Sequence, residues 1–161
     1  TFGVADLRTL ATQVPGTFEA VIACDNALPH LLGDEDLSEA VRNIYAKLQT
    51  DGLFLASIRD YDQLRAEKPR STSPRVFDDP GGRRIAFQVW DWSEDGSTYL
   101  VHLFILREGE GNWQVKHFAT HYRALLRHEL SRTLREAGFT EIEWQMPAES
   151  GYYQPVVKAR K

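Results

Sequence analysis

Cysteine and methionine are almost missing from this chain: Cys24 and Met146 are the single examples in 161 residues. One cysteine cannot close an internal disulfide, so a reducing, cytoplasmic setting is the expectation. An excess of positive charge is missing too. Nineteen Lys and Arg stand against 23 Asp and Glu, for a net charge of −4 and a pI near 5.7. That balance suits neither nucleic-acid phosphates nor anionic lipid, so neither is an expected partner. The sequence shows no signal peptide and no apolar run of the roughly 20 residues that cross a bilayer. Internal repeats and low-complexity tracts are also lacking. What remains is 42% apolar and 26% charged, an ordinary globular composition. It is enough for one core, and residues 1–161 read as a single domain. The chain starts at Thr1 without a methionine, and Phe2–Ala5 already reads like mid-strand, which implies a fragment or a processed chain.

The run on which the rest depends is Phe18 to Leu32, FEAVIACDNALPHLL. Small and β-branched residues from Phe18 to Ala23 predict a buried strand. It stops at a polar turn, Cys24-Asp25-Asn26, and Pro29 and His30 follow. Open α/β sheets bind ligands at such strand ends. Upstream, Phe2–Ala5 predicts a strand that stops at Asp6, and a weak helix or loop then ends at Pro15-Gly16. Downstream, Asp34 is a predicted N-cap with acidic residues in the first turn. Leu37, Val41, Ile44, Tyr45 and Leu48 recur at helical spacing, and Asp51-Gly52 is the predicted helix end. Leu53–Ile58 reads as a buried strand, so the opening third is α/β with parallel strands.

Gln63 to Gly82 is polar and reads as an ordered excursion or a lid. Arg84–Trp92, Thr98–Arg107 and Trp113–Tyr122 are then strand-like, separated by Glu94-Asp95-Gly96 and Glu108-Gly109-Glu110-Gly111. They predict an antiparallel meander over 83–122, joined to the main sheet or set as a platform. Leu126–Ala137 is a helix with Gly138 after it. Phe139–Met146 and Tyr153–Arg160 are the last two strands.

Several residues stand out on chemistry alone. Arg59 directly follows an apolar strand, and a guanidinium holds a carboxylate with two parallel hydrogen bonds. The alternative is an ion pair with Asp60 or Asp62. Asn26 both donates and accepts, yet Asn also builds Asx-turns. Tyr61 and Tyr122 either line a site or pack. Trp90, Trp92 and Trp113 are packing residues of the meander or the cap of an apolar pocket. The histidines lack ligand spacing with Cys or carboxylates, so no metal is expected.

The order of these parts resembles the class I S-adenosylmethionine-dependent methyltransferases: strand with polar turn, helix, DG, a strand ending in SIRDYD, then REAGF before two last strands. It is most similar to the glycine/sarcosine N-methyltransferase group. DNALPHLL (Asp25 to Leu32) resembles that group's GNSFAHL, and IRDYD (Ile58 to Asp62) resembles its HRNYD. An antiparallel insertion after that strand ends near His121-Tyr122. The resemblance implies a Rossmann-like α/β sheet holding strands 3 to 7 of the family, with the 83–122 insertion after strand 5 and the last strand pair closing the order 3-2-1-4-5-7-6. It implies S-adenosylmethionine as cofactor. Asp6, Leu7 and Arg8 would meet the adenine, the backbone of Ala23 and Cys24 the methionine part, and His30 would lie close by. It implies a small amine or amino acid as acceptor, with Asn26 orienting it, Arg59 holding its carboxylate, and Tyr61 and Tyr122 lining the site. Asn26 and Tyr122 are the catalytic candidates. Asp60 stands where the group has Asn, which would favour a cationic acceptor or neutralise Arg59.

The resemblance puts Phe2–Ala5 at the family's third strand, so the family's G-x-G-x-G loop and its ribose-binding acid should precede it, and this chain has neither. The resemblance therefore implies a longer natural protein and little activity from this chain alone. Two other readings stay open: a methyltransferase of another acceptor, oxygen or macromolecule, and a degenerate module that binds without catalysis. An aromatic to stack on a base is missing after Asn26, against a nucleic-acid acceptor. A homo-oligomer is left open.

Overall fold

The computed structural model describes residues 2–109 and 111–161. They fall into two compact units: residues 2–63 with Leu125–Lys161, and the described residues of Leu64–Ala124. Among the described residues no helix is long and apolar enough to cross a membrane.

The first unit is built on a four-stranded sheet. β1 (Phe18–Ala23) lies parallel to β2 (Leu48–Ser57). β8 (Val156–Arg160) runs antiparallel between β2 and β7 (Thr140–Gln145), giving the order β1-β2-β8-β7. The period of two puts Phe54 and Ala56 of β2 on one face with Val157 and Ala159 of β8, and all four are wholly buried. Over this core lie α2 (Asp34–Lys47) and α4 (Arg127–Glu136), whose Leu37, Val41, Ile44, Leu130 and Leu134 are also buried. Phe139 joins the layers, edge-on to Tyr45 at 5.0 Å and tilted against Phe54 at 5.6 Å. Gly138 makes this turn at φ 101°, where a Cβ would come within 3.1 Å of the Tyr45 ring.

Helix α2 has Gly33, not Asp34, as its N-cap. The Gly33 carbonyl accepts the Leu37 N–H at 3.1 Å, and Asp34, Glu35 and Asp36 fill the first turn, where the dipole favours them. The helix ends at Lys47 rather than at Asp51-Gly52, and Leu48 already opens β2. The turn chemistry of Asp51-Gly52 is used inside the strand. Phe18 pairs with Leu48 but Ala20 with Leu53, so 49–52 bulges outward. Asp51 sits at φ 60°, and a Cβ on Gly52 would lie 2.8 Å from the Gln49 carbonyl oxygen.

Three further expectations are corrected. Phe2–Ala5 is not a strand. No neighbour strand pairs with it among the described residues, and Phe2 and Val4 are fully exposed. The chain goes instead into a 3₁₀ turn over Leu7–Thr9 and α1 (Leu10–Gln13). β1 is an edge strand rather than a buried one, with Ile22 67% and Phe18 42% exposed. The last strand starts at Val156, since α5 (Pro147–Ser150) and Gly151 at φ 70° turn the chain before it.

The second unit is a sheet of its own, β3 (Arg75–Asp79), β4 (Gly82–Trp92), β5 (Thr98–Glu108) and β6 (Trp113–Arg123), antiparallel in sequence order. The Gln63–Gly82 stretch is ordered, carrying most of α3 (Tyr61–Glu67) and β3. The β4–β5 turn is held by Asp95, which accepts from Ser93 Oγ at 2.7 Å and Ser97 N–H at 3.1 Å; these bonds hold its carboxyl well below the usual range. In the β5–β6 turn, Gly109 N–H donates to the Asn112 carbonyl at 2.8 Å; Glu110 lies outside the described residues. Trp92 stacks on Tyr99 at 4.5 Å, Trp90 packs on the same ring at 5.2 Å, and Tyr122 stacks on its far side at 5.7 Å. Trp90 and Trp92 thus have the packing role. Trp113 is 41% exposed, under the Arg83 guanidinium. The meander also carries a chain of polar contacts that spacing along one strand did not reveal: His102 Nε2 meets Asp91 Oδ2 at 3.0 Å and His102 Nδ1 meets His117 Nε2 at 2.8 Å.

Candidate functional site at the strand ends of the larger sheet

The carboxyl ends of β1 and β2 are tied together by their turns. After Cys24 two residues in succession take the left-handed conformation, Asp25 at φ 61° and Asn26 at φ 65°. Asn and Asp tolerate it best among residues with a Cβ. The turn is pinned to the end of β2. Asp25 N–H donates to Ser57 Oγ at 2.8 Å, and Asn26 N–H to the Ser57 carbonyl at 3.2 Å. Asn26 is 2% exposed, and its Oδ1 accepts the Arg59 N–H at 2.8 Å. The two residues singled out for acceptor recognition are therefore in direct contact, through the side chain of one and the backbone of the other. Asn26 Oδ1 is thus engaged across the two strand ends and not in a local Asx-turn; this bond and a ligand role are compatible, because the amide Nδ2 is a separate donor.

Arg59 is fixed on both sides. Ile58 N–H donates to the Pro155 carbonyl at 3.2 Å, and Tyr61 N–H to the Arg59 carbonyl at 2.8 Å. Asp60 and Asp62 both hold Arg127 of α4: Nη1 meets Asp60 Oδ1 at 2.7 Å and Nε meets Asp62 Oδ2 at 3.3 Å. Asp60 thus has a cationic partner in Arg127.

His30 ends a 3₁₀ turn, Leu28–His30, whose Leu28 and Pro29 are buried. Partial burial pushes its imidazole below the ordinary range, and the charge of Arg59 adds to that. A histidine so shifted is neutral at pH 7. If Arg59 is the nearby charge, Arg59→Met will raise the His30 pKa part of the way toward about 6.5, with burial keeping the rest. An imidazole NMR titration reads it, and an unmoved titration would separate the two residues.

No family model matches this chain. It is 37% identical over 120 residues to a glycine/sarcosine N-methyltransferase of Parasynechococcus marenigrum (strain WH8102), spanning 65% of this chain and 40% of that protein. It is 24% identical over 162 residues to one of Aphanothece halophytica, spanning 93% of this chain and 52% of that protein. The chain thus spans about half or less of the length of these curated relatives. Among solved structures, an S-adenosylmethionine-dependent methyltransferase from Clostridium acetobutylicum ATCC 824 superposes with a TM-score of 0.74 at 10% identity, over 98% of this chain and 62% of that one. An amino pentose methyltransferase from Micromonospora echinaspora, bound to S-adenosylmethionine, gives 0.74 at 16%, over 97% and 62%.

The chain has the fold of the class I S-adenosylmethionine-dependent methyltransferases. By sequence it is related to the glycine/sarcosine N-methyltransferases. The β1-β2-β8-β7 order, with β8 reversed, is the 4-5-7-6 end of the methyltransferase sheet named above.

The other candidate residues of this methyltransferase fold lie as follows. Ala23 is buried at the end of β1 and Cys24 half-buried beside it. Asp6 is exposed and precedes the Leu7–Thr9 turn. It accepts Arg8 N–H at 2.9 Å and pairs with the Arg8 guanidinium at 2.7 Å. These contacts bring its carboxyl down to about 2. Arg8 also reaches Asp36 of α2 at 3.2 Å. Tyr61 is wholly buried at the start of α3. Tyr122 belongs to the aromatic stack of the smaller sheet. Ser57, Gln154, Tyr153 and Arg127 were not legible as site residues. The sequence signal was present only for Ser57, as the polar residue near the end of an apolar strand.

Proposed function

We propose that the full-length protein is a cytoplasmic enzyme that methylates a small amine or amino acid. The present chain would form the acceptor side of one methyltransferase domain, with 83–122 inserted in it. What carries this reading is the Asn26–Arg59 contact at the ends of two parallel strands.

S-adenosylmethionine, when bound, supplies a methyl group already activated by its sulfonium. The residues here fit such a cofactor in two respects. Ala23 and Cys24 are small, so the chain end of β1 admits close approach, and a neutral His30 puts no positive charge against a sulfonium. In this reading Ala23, Cys24 and His30 hold the methionine part. Asp6, Leu7 and Arg8 face the adenine, with Asp6 sharing its carboxylate between Arg8 and the ligand.

The chain's own work is positioning. Arg59 takes the acceptor's carboxylate in a two-point grip. Asn26 Nδ2 donates toward the acceptor and Tyr61 shapes its surroundings. An amine in its neutral form needs no strong base to attack. Holding its lone pair in line with the departing sulfur supplies a large part of the rate. Calorimetry with S-adenosylhomocysteine on the full-length protein tests the reading. Saturable heat at sub-millimolar ligand is expected. No heat at millimolar ligand would overturn the enzyme assignment in favour of a module that keeps the fold without the cofactor.

A further inference from the structure

Strand β6 closes the smaller sheet on one side. It pairs with β5 in unbroken register, from Thr98 against Arg123 to Glu108 against Trp113, and no strand lies on its outer edge among the described residues. Residues 113–121 are exposed without exception. Natural sheets protect such an edge by keeping it short, by charge, by proline or by a bulge. Little of that is present in β6. It is 11 residues long and contains no proline, Asp or Glu; its fixed charges are Lys116 and, at its end, Arg123.

The apolar groups of β6 point both ways. The period of two puts Trp113 and Val115 on one face of the sheet and Phe118 on the other, and they are 41%, 60% and 55% exposed. A partner lying on either face would cover one set and leave the other in water. A strand added along the edge gives all three cross-strand neighbours at once, and it also meets the outward backbone N–H and C=O groups.

The sequence of β6 matches its own reverse. Two antiparallel copies related by a two-fold axis meet at a residue that faces itself, and full overlap of residues 113–123 puts Phe118 there. That register sets ring against ring at the centre, a favourable cross-strand pair. It sets Lys116 opposite Thr120, Val115 opposite His121, and Trp113 opposite Arg123, a cation over an aromatic face. No charge faces another of its own sign. A centre at Lys116 would instead oppose two ammonium groups and shorten the overlap. Each contact occurs twice, so the pairing closes as a dimer and leaves no free β6 edge.

We infer that β6 is a homodimer interface: two copies join edge to edge, antiparallel about Phe118, into one continuous sheet ordered β3-β4-β5-β6-β6-β5-β4-β3. This is independent of the acceptor assignment. Sedimentation of the full-length protein should show a monomer–dimer equilibrium with a dissociation constant of roughly micromolar order, as befits a small interface. Hydrogen exchange at alternate amides of residues 113–123 should slow as the dimer fills, because only every second N–H of an edge strand points outward. Phe118→Glu and Phe118→Lys each place like charges face to face and should weaken the dimer about tenfold or more. Mixed in equal amounts, the two variants should associate again, since residue 118 is the position that meets itself. Thermal unfolding of each variant reports that it folds. A full-length protein that stays monomeric would overturn the inference, whether the β6 amides are protected by another segment of the same chain or left open to a different protein. So would a dimer that both substitutions leave intact, or single variants that dissociate and do not recombine on mixing.

Discussion

Replacing Arg59 by glutamine should raise the KM for a carboxylate-bearing amine about 10- to 100-fold in the full-length protein. The affinity for S-adenosylhomocysteine should stay unchanged. The range follows from the roughly 1.5–3 kcal/mol of a hydrogen bond to a charged group, at about 1.4 kcal/mol per factor of ten. The backbone of Arg59 is held independently of its guanidinium, by Asn26 Oδ1 on one side and Tyr61 N–H on the other, so the substitution leaves the strand end in place. An amine of similar size without a carboxylate is the control, and its KM should move little. Equal losses for the two acceptors would mean that Arg59 acts on the fold of the site rather than on the carboxylate. Arg59→Lys keeps the charge but loses the planar two-point grip, and it should fall between wild type and Arg59→Gln.

Most of the larger unit was legible because its signals are local. The apolar run Phe18–Ala23, the helical spacing of Leu37, Val41 and Ile44, and the Gly after Glu136-Ala137 each specify an element by itself, and each is present. The meander was legible for the same reason: three strand-length runs with Gly-containing turns leave little choice. What failed was everything that depends on neighbours. Phe2–Ala5 has strand composition but no strand to pair with among the described residues, and composition alone cannot make the hydrogen bonds. Asp51-Gly52 is a good helix stop, but the same φ 60° turn serves a bulge in a parallel pair, and local sequence does not distinguish the two uses.

The candidate site divides along the same line. Asn26, His30 and Arg59 announce themselves by residue type at a strand end. Their wiring does not. Ser57 Oγ joins Asp25 to Gln154, 129 positions further on, and Arg127 answers Asp60 across 67 positions. Such links are set by how distant elements pack together, a tertiary fact. A carboxylate such as Asp60, suspected from sequence of neutralising Arg59, then turns out to hold a helix instead: Arg127 is the first residue of α4.

Asn26→Ala should cost the fold about 2–5 kcal/mol in urea unfolding, through two separable losses. The first is the acceptor for the Arg59 N–H. Asn26 is 2% exposed, and leaving a buried donor unmet costs about 1–3 kcal/mol. The second is conformational. At φ 65° an alanine Cβ crowds the backbone by about 1–2 kcal/mol, whereas Asn tolerates this region. Asn26→Gly removes the second loss and keeps the first, because glycine adopts positive φ freely. It should therefore be more stable than Asn26→Ala by about 1 kcal/mol and still less stable than wild type. Both variants should also free the end of β1 from Arg59, so hydrogen exchange at the Arg59 amide should speed up in each. If glycine and alanine prove equally destabilising, the left-handed turn carries no part of the cost. If neither changes exchange at Arg59, then Asn26 does not tie the two strand ends together, and the contact on which acceptor recognition is built would be lost with it.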